Sequence, residues 1–127
     1  MTKIFVFGSN LAGVHGAGAA ALAHRTLNAQ WGVGIGRTGQ CYAIPTKNQR
    51  IRTLPLDRIK EHINDFIEYA EHNPLLTFQV TRIGCGLAGF DDKDIAPLFK
   101  GAPTNCEFDL QWQQYLGLEN RSYWGTY

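Results

Sequence analysis

The sequence predicts an α/β protein, a three-layer α/β/α arrangement over a mixed, largely parallel sheet. Three observations carry that expectation. Apolar, β-branched runs alternate with helix-forming segments, which is the order that parallel strand pairing needs. The first of these runs, KIFVF at 3–7, is apolar throughout, as a strand covered on both faces is. Several runs then end in glycine, other small residues and a few polar groups rather than in ordinary turn sequences. A chain of 127 residues, 44% hydrophobic and 18% charged, is expected to form a single domain spanning 1–127 with a core of its own.

KIFVF predicts the first strand. AGAAALAHRTL (17–27) holds strong helix formers, stops near Asn28 and predicts a helix directly after a glycine-rich loop. QCYAIPTK (40–47) predicts a second strand whose end Pro45 marks, because proline has no N–H to give to a ladder. PLDRIKEHINDFIEYAEH (55–72) is the clearest helix: Ile59, Ile63, Phe66, Ile67 and Ala70 recur at helical steps, Pro55 stands near the start and Asn73-Pro74 stops it. LLTFQVTRIG (75–84) predicts a third strand, cut short by GCGLAG. DDKDIAPLFKG (91–101) opens with acids and closes on Lys-Gly, a short helix in which Pro97 limits regularity. TNCEFDL (104–110) predicts a last strand, and the aromatic tail 111–127, with Trp112, Tyr115, Tyr123, Trp124 and Tyr127, is expected to be ordered and packed on the domain.

Composition also excludes. The net charge is +1 and no basic run of five or more occurs, so no general nucleic-acid binding is expected. Cys41, Cys85 and Cys106 are odd in number and lack CxxC spacing, which argues against a disulfide framework and a structural zinc site. No leader pattern opens the chain and no apolar run nears the ~18 residues of a membrane span, so a cytoplasmic protein without membrane contact is expected. No metal and no cofactor is expected.

Ligands of parallel sheets bind outside the carboxyl ends of the strands. Three strands here end in GSNLAGVHGAG, PTKN and GCGLAGFDD, and the predicted order brings all three to one edge. Glycine after a strand lets backbone N–H groups approach phosphate oxygens, and a helix N-terminus behind it adds a favourable dipole. Tight packing of helix on strand explains the same glycines without a ligand. The dinucleotide pattern G-x-G-x-x-G does not fit, because Ser9-Asn10 follow Gly8, and no Walker sequence is present.

FGSNLAGVHGAGAA resembles the first binding loop of macro domains, in which an Asn ends a buried strand and a Gly-x-Gly opens a helix. AIPTKN and RIGCGLAGFDD resemble later macro motifs, in the same order, so that the similarity covers residues 3 to about 106. It is nearest the branch that includes the terminal ADP-ribose protein glycohydrolase and the antitoxin macro domains that strip ADP-ribose from DNA. The resemblance implies a macro-like fold and an ADP-ribose-type ligand, free or carried on an ADP-ribosylated macromolecule, with hydrolysis of an ADP-ribosyl linkage as the activity. Gly8, Ser9 and Asn10 would then end the buried strand, with Asn10 at the distal ribose. Gly16, Ala17 and Gly18 match the turn that lines the pyrophosphate. Gly84, Cys85, Gly86, Leu87, Ala88, Gly89 and Phe90 match the second loop, which closes over diphosphate and ribose. Thr46 precedes Lys47, which matches the lysine that attacks or assists at the anomeric carbon.

The chain departs from that family pattern twice. The extra first strand whose Asp reads adenine has no counterpart before KIFVF, and the Asp that follows GCGL in the protein glycohydrolase is Ala88 here. The aromatic tail either covers the face that this strand would occupy or stacks one ring on the ligand's base. Lys47, Asp91 and His15 are the candidate catalytic residues, each with a plainer reading. Lys47 also reads as a solvated strand end, since an amine becomes a nucleophile only when its pKa is lowered. Asp91 and Asp92 read as caps of the helix that follows, and His15 as a proton donor, a phosphate contact or a solvated loop residue. Cys85 lies where a small residue is needed and has no neighbouring His or Asn to activate it. Two alternatives stay open: a non-catalytic binder that senses or sequesters an ADP-ribose-derived signal, and an ADP-ribose 1″-phosphate phosphatase leaning on His15 and a carboxylate.

Overall fold

A computed structural model describes residues 3–126. Its strands are β1 (Lys3–Asn10), β2 (Gly36–Thr38), β3 (Cys41–Lys47), β4 (Thr77–Val80), β5 (Cys106–Asp109) and β6 (Ser122–Gly125). The helices are α1 (Gly18–Thr26), α2 (Leu56–Glu71), α3 (Asp92–Ile95) and α4 (Gln113–Leu116), with 3-10 turns at Ala96–Phe99 and Leu110–Trp112. The strands form one sheet in the order β2-β3-β1-β4-β5-β6, parallel throughout except where β2 meets β3. The protein therefore has the mixed, mostly parallel α/β fold that its sequence predicts.

The alternation of side chains along a strand sorts the core into two faces. From β1 and β3, Ile4, Val6, Tyr42 and Ile44 join the buried stripe of α2, Ile59, Ile63, Phe66 and Ala70. Phe5, Phe7, Cys41 and Ala43 face the other way, onto Ala20 and Ala23 of α1. Each fully buried Ile or Phe in the larger cluster contributes about 1.5–3 kcal/mol relative to exposure. On the α1 side the alanines contribute less area but let the helix lie close to the strands. Asn28, in the left-handed region at φ 65°, follows the last turn of α1 and turns the chain away.

Two strand features differ from the sequence expectations, and the tail, packed as expected, goes beyond them. Pro45 does not end its strand: β3 runs on to Lys47, because the missing N–H falls where the β1–β3 register shifts between Ser9 and Asn10. The third strand is shorter than expected, and Thr81 onward leaves it to form the site. The tail adds structure of its own: Trp112 is fully buried, β6 pairs with β5, and Trp124 Nε1–H donates to Val80 O at 2.8 Å. Tyr127 lies outside the described residues.

Candidate functional site

The carboxyl ends of β1, β3, β4 and β5 surround one cavity of about 410 Å³, a size suited to a small-molecule ligand. The first glycine loop contributes Gly8, Ser9, Asn10, Gly16, Ala17 and Gly18 to its wall; Thr46 and Lys47 come from β3, and Gly84 to Ala88 from the second loop. Gly89, Phe90, His15 and Asp91 lie outside it. Sequence reasoning passed over Thr81, Arg82, Asp109 and Ile51, which also line it.

The first loop is held by its own polar groups. Asn10 Nδ2 donates to Val14 O at 2.9 Å and its Oδ1 accepts Val14 N–H at 3.0 Å, so this amide closes the loop and keeps one N–H and one lone pair for anything else. Ser9 Oγ–H donates to Gly34 O, and Thr46 Oγ1–H to Ser9 O at 3.3 Å. The loop also rests on residues 30–34, where Gly34 is obligatory: a Cβ there would lie 1.9 Å from Asn10 O. His15 is part of this support. It is buried with its Nε2–H shared between Gln30 O and Val33 O, at 2.9 and 3.1 Å, and its ring meets Phe7 and Trp31 edge-on.

The loop delivers the chain into α1 without a cap. Ala17 occupies the N-cap position, no side chain bonds the first turn and no acid lies in it, while Gly18, Ala19 and Ala20 line the cavity. The first N–H groups of a helix have no intrahelical acceptor, and the macrodipole adds partial positive charge there. That end of the cavity is suited to an anion.

Opposite α1, the second loop is a series of tight turns. Cys85 N–H donates to Arg82 O, Gly89 N–H to Gly86 O and Phe90 N–H to Gly84 O. Phe90 turns inward onto the larger core cluster. Asp91 occupies the N-cap of α3, its N–H donating to Asp94 Oδ2 at 3.3 Å, which gives it the capping role and no place in the cavity. Asp92 is tied down more firmly. Arg82 Nε–H and Nη2–H donate to its two oxygens at 2.8 and 2.5 Å, and Trp112 Nε1–H donates to Oδ1 at 2.7 Å. The guanidinium holds the Asp92 carboxyl below the usual carboxylate range against the opposing effect of burial, with Trp112 adding to it. The neighbouring Cys85 thiol is pushed up to about 12 by burial and then by the Asp92 charge, so it stays protonated and unreactive at neutral pH.

Asp109 is fully buried at the end of β5, its Oδ1 accepting Gln111 N–H at 2.9 Å and its Oδ2 accepting Thr126 Oγ1–H at 3.1 Å. Lys47 sits at the opposite end and takes part in no ion pair among the described residues. None of Trp112, Tyr115, Tyr123 and Trp124 lines the cavity. Among the described residues no group of three or more His, Cys, Asp or Glu is placed to hold a metal ion, and no helix is long and apolar enough to cross a membrane.

No protein-family model matches the chain, and no curated protein or solved structure matches it.

Proposed function

We propose that the cavity binds an ADP-ribose-type ligand and that the chain hydrolyses an ADP-ribosyl linkage, with Lys47 acting at the anomeric carbon of the distal ribose. The observation that carries this reading is the uncapped start of α1, which opens with Gly18, Ala19 and Ala20 on the cavity shared by the second glycine loop and Lys47. Backbone N–H groups and a helix dipole suit a diphosphate. Lys47, in no ion pair among the described residues, can as the neutral amine attack the anomeric carbon while the linked group departs, water then displacing the amine to release the sugar. The macro-like motifs of the sequence point to the same ligand class.

A second reading is favoured by what lies outside the cavity. His15 and Asp91 are both occupied structurally, which leaves Lys47 as the one candidate catalytic group of the three on the cavity wall. A binder that sequesters the ligand needs no more than that, and a phosphatase leaning on His15 loses its support.

Calorimetry with ADP-ribose and AMP, repeated on Lys47→Ala, tests the proposal. ADP-ribose is expected to bind more tightly than AMP; equal affinity defeats the assignment. For a hydrolase, Lys47→Ala abolishes release of ADP-ribose from modified protein or DNA while affinity holds. For a binder, the wild type releases nothing and the variant loses about 1.5–3 kcal/mol of affinity, the range for hydrogen bonds to a charged group.

A further inference from the structure

Ile51 is the strained residue of the site. Its φ of 61° lies in the left-handed region, which β-branched side chains rarely adopt. The loop around it imposes that conformation. Lys47 and Thr53 form an isolated antiparallel bridge, Asn48 N–H donates to Arg52 O at 2.8 Å, and Asn48 Oδ1 accepts the N–H groups of Arg50 and Arg52 at 2.9 and 3.1 Å. Ile51 N–H closes the turn on Asn48 O at 3.1 Å, and Thr53 Oγ1–H fastens the loop to Ala88 O at 2.9 Å. Glycine or asparagine would hold the same turn with less strain, so the turn does not account for isoleucine. Core packing does not account for it either, since the side chain is 43% exposed, belongs to neither hydrophobic cluster and lines the cavity. Val14 and Leu87, likewise exposed, bring two more apolar side chains to the cavity from the two glycine loops.

We propose that Ile51 is a specificity-determining residue that covers the distal ribose of the ligand, beside the carbon that Lys47 faces; this rests on the ADP-ribose reading of the cavity. Register sets the position: Asn10 is paired with Lys47 and Lys47 with Thr53, so the strained turn belongs to the Asn10–Lys47 end, away from Thr81 and Asp109. An isoleucine there offers an apolar face to the C–H face of a sugar ring and keeps water from it. The backbone strain is then the cost of an apolar side chain at a position whose geometry favours glycine.

Wild type, Ile51→Gly and Ile51→Asn are each titrated with ADP-ribose and with ADP, which lacks the distal ribose, and each is unfolded thermally. Neither substitution is expected to lower the unfolding midpoint, because strain is released. Affinity for ADP-ribose is expected to fall roughly 5–10-fold in both, from the apolar area no longer covered, while affinity for ADP stays at the wild-type value. Unchanged ADP-ribose affinity in the variants overturns the role of Ile51, as does an equal loss for ADP. A midpoint lowered by more than about 4 °C overturns it too, by making Ile51 a packing residue. A wild-type chain that binds neither ligand overturns the reading of the cavity itself, a result distinct from the other three.

Discussion

Replacing Asp92 by Asn keeps the side chain's shape and removes its charge and one acceptor. In the native protein this carboxylate receives two N–H groups of Arg82 and the indole N–H of the fully buried Trp112. The side chains of Arg82 and Asp92 are 30% and 20% exposed, so the pair lies between an exposed bridge, worth about 0–1 kcal/mol, and a buried one, whose disruption costs about 3–5 kcal/mol. A loss of about 2 kcal/mol at pH 7 follows, or about 6–10 °C in Tm for a domain of this size. Urea unfolding of both proteins from pH 7 to pH 2 measures it. The sign follows from linkage: a carboxyl whose folded pKa is depressed contributes stability that is fully present above its unfolded value near 3.9. That contribution disappears as pH falls through the lower folded pKa. The wild-type advantage should therefore hold from pH 7 to about pH 4 and shrink below that, because a protonated carboxyl and a carboxamide are near equivalents. A gap below about 0.5 kcal/mol at pH 7, or one that stays constant down to pH 2, would refute the argument.

Two further perturbations separate site from scaffold. A Cβ on Gly16 meets nothing within 4 Å and its backbone is not left-handed, so Gly16→Val should change stability by no more than about 0.5 kcal/mol and fill cavity space at the start of α1. ADP-ribose affinity measured by calorimetry should drop at least tenfold, about 1.4 kcal/mol; normal binding would place the ligand elsewhere. Gly18→Val is the less clean test, since φ there is 59° and the substitution strains the helix start whatever the ligand does. Truncation after Leu110 removes Trp112 and β6, and the tryptophan alone is worth about 3–5 kcal/mol. Circular dichroism and gel filtration should show an unfolded or aggregated chain, and a cooperatively folded truncate would contradict the packing described for the tail.

Local pattern made the fold legible. Ile59, Ile63, Phe66 and Ala70 are buried along α2 at the steps their spacing requires, and KIFVF is covered on both faces by two different clusters. Neither β2, a Gly-Arg-Thr stretch, nor β6, Ser-Tyr-Trp-Gly, carries an apolar alternation of its own, and each exists because a neighbouring strand offers an edge. Around the cavity the limit was long-range partnership. His15 reads as a site residue in a glycine loop until residues 30–33 are seen to bury it. Arg82 stands two residues before Gly84, yet its place depends on Asp92 and, through it, on Trp112. Ile51 gave no signal at all, since the turn's φ is set by the hydrogen bonds that Arg50 and Arg52 N–H donate to the Asn48 side chain, which composition does not reveal.

The chain of contacts from Trp112 to Asp92 to Arg82 has a consequence for biosynthesis. The segments that line the cavity, from Gly8 to Asp109, all leave the ribosome before the tryptophan that steadies one of its walls. A nascent chain that stops short of it holds both glycine loops and Lys47 but leaves Asp92 without its indole donor and Phe99 and Phe108 without the ring that packs beside them. The cavity wall is therefore completed late, with the closing of the β5 side of the core, and on the proposed reading a fragment that carries both glycine loops and Lys47 would still bind poorly because its core is unfinished.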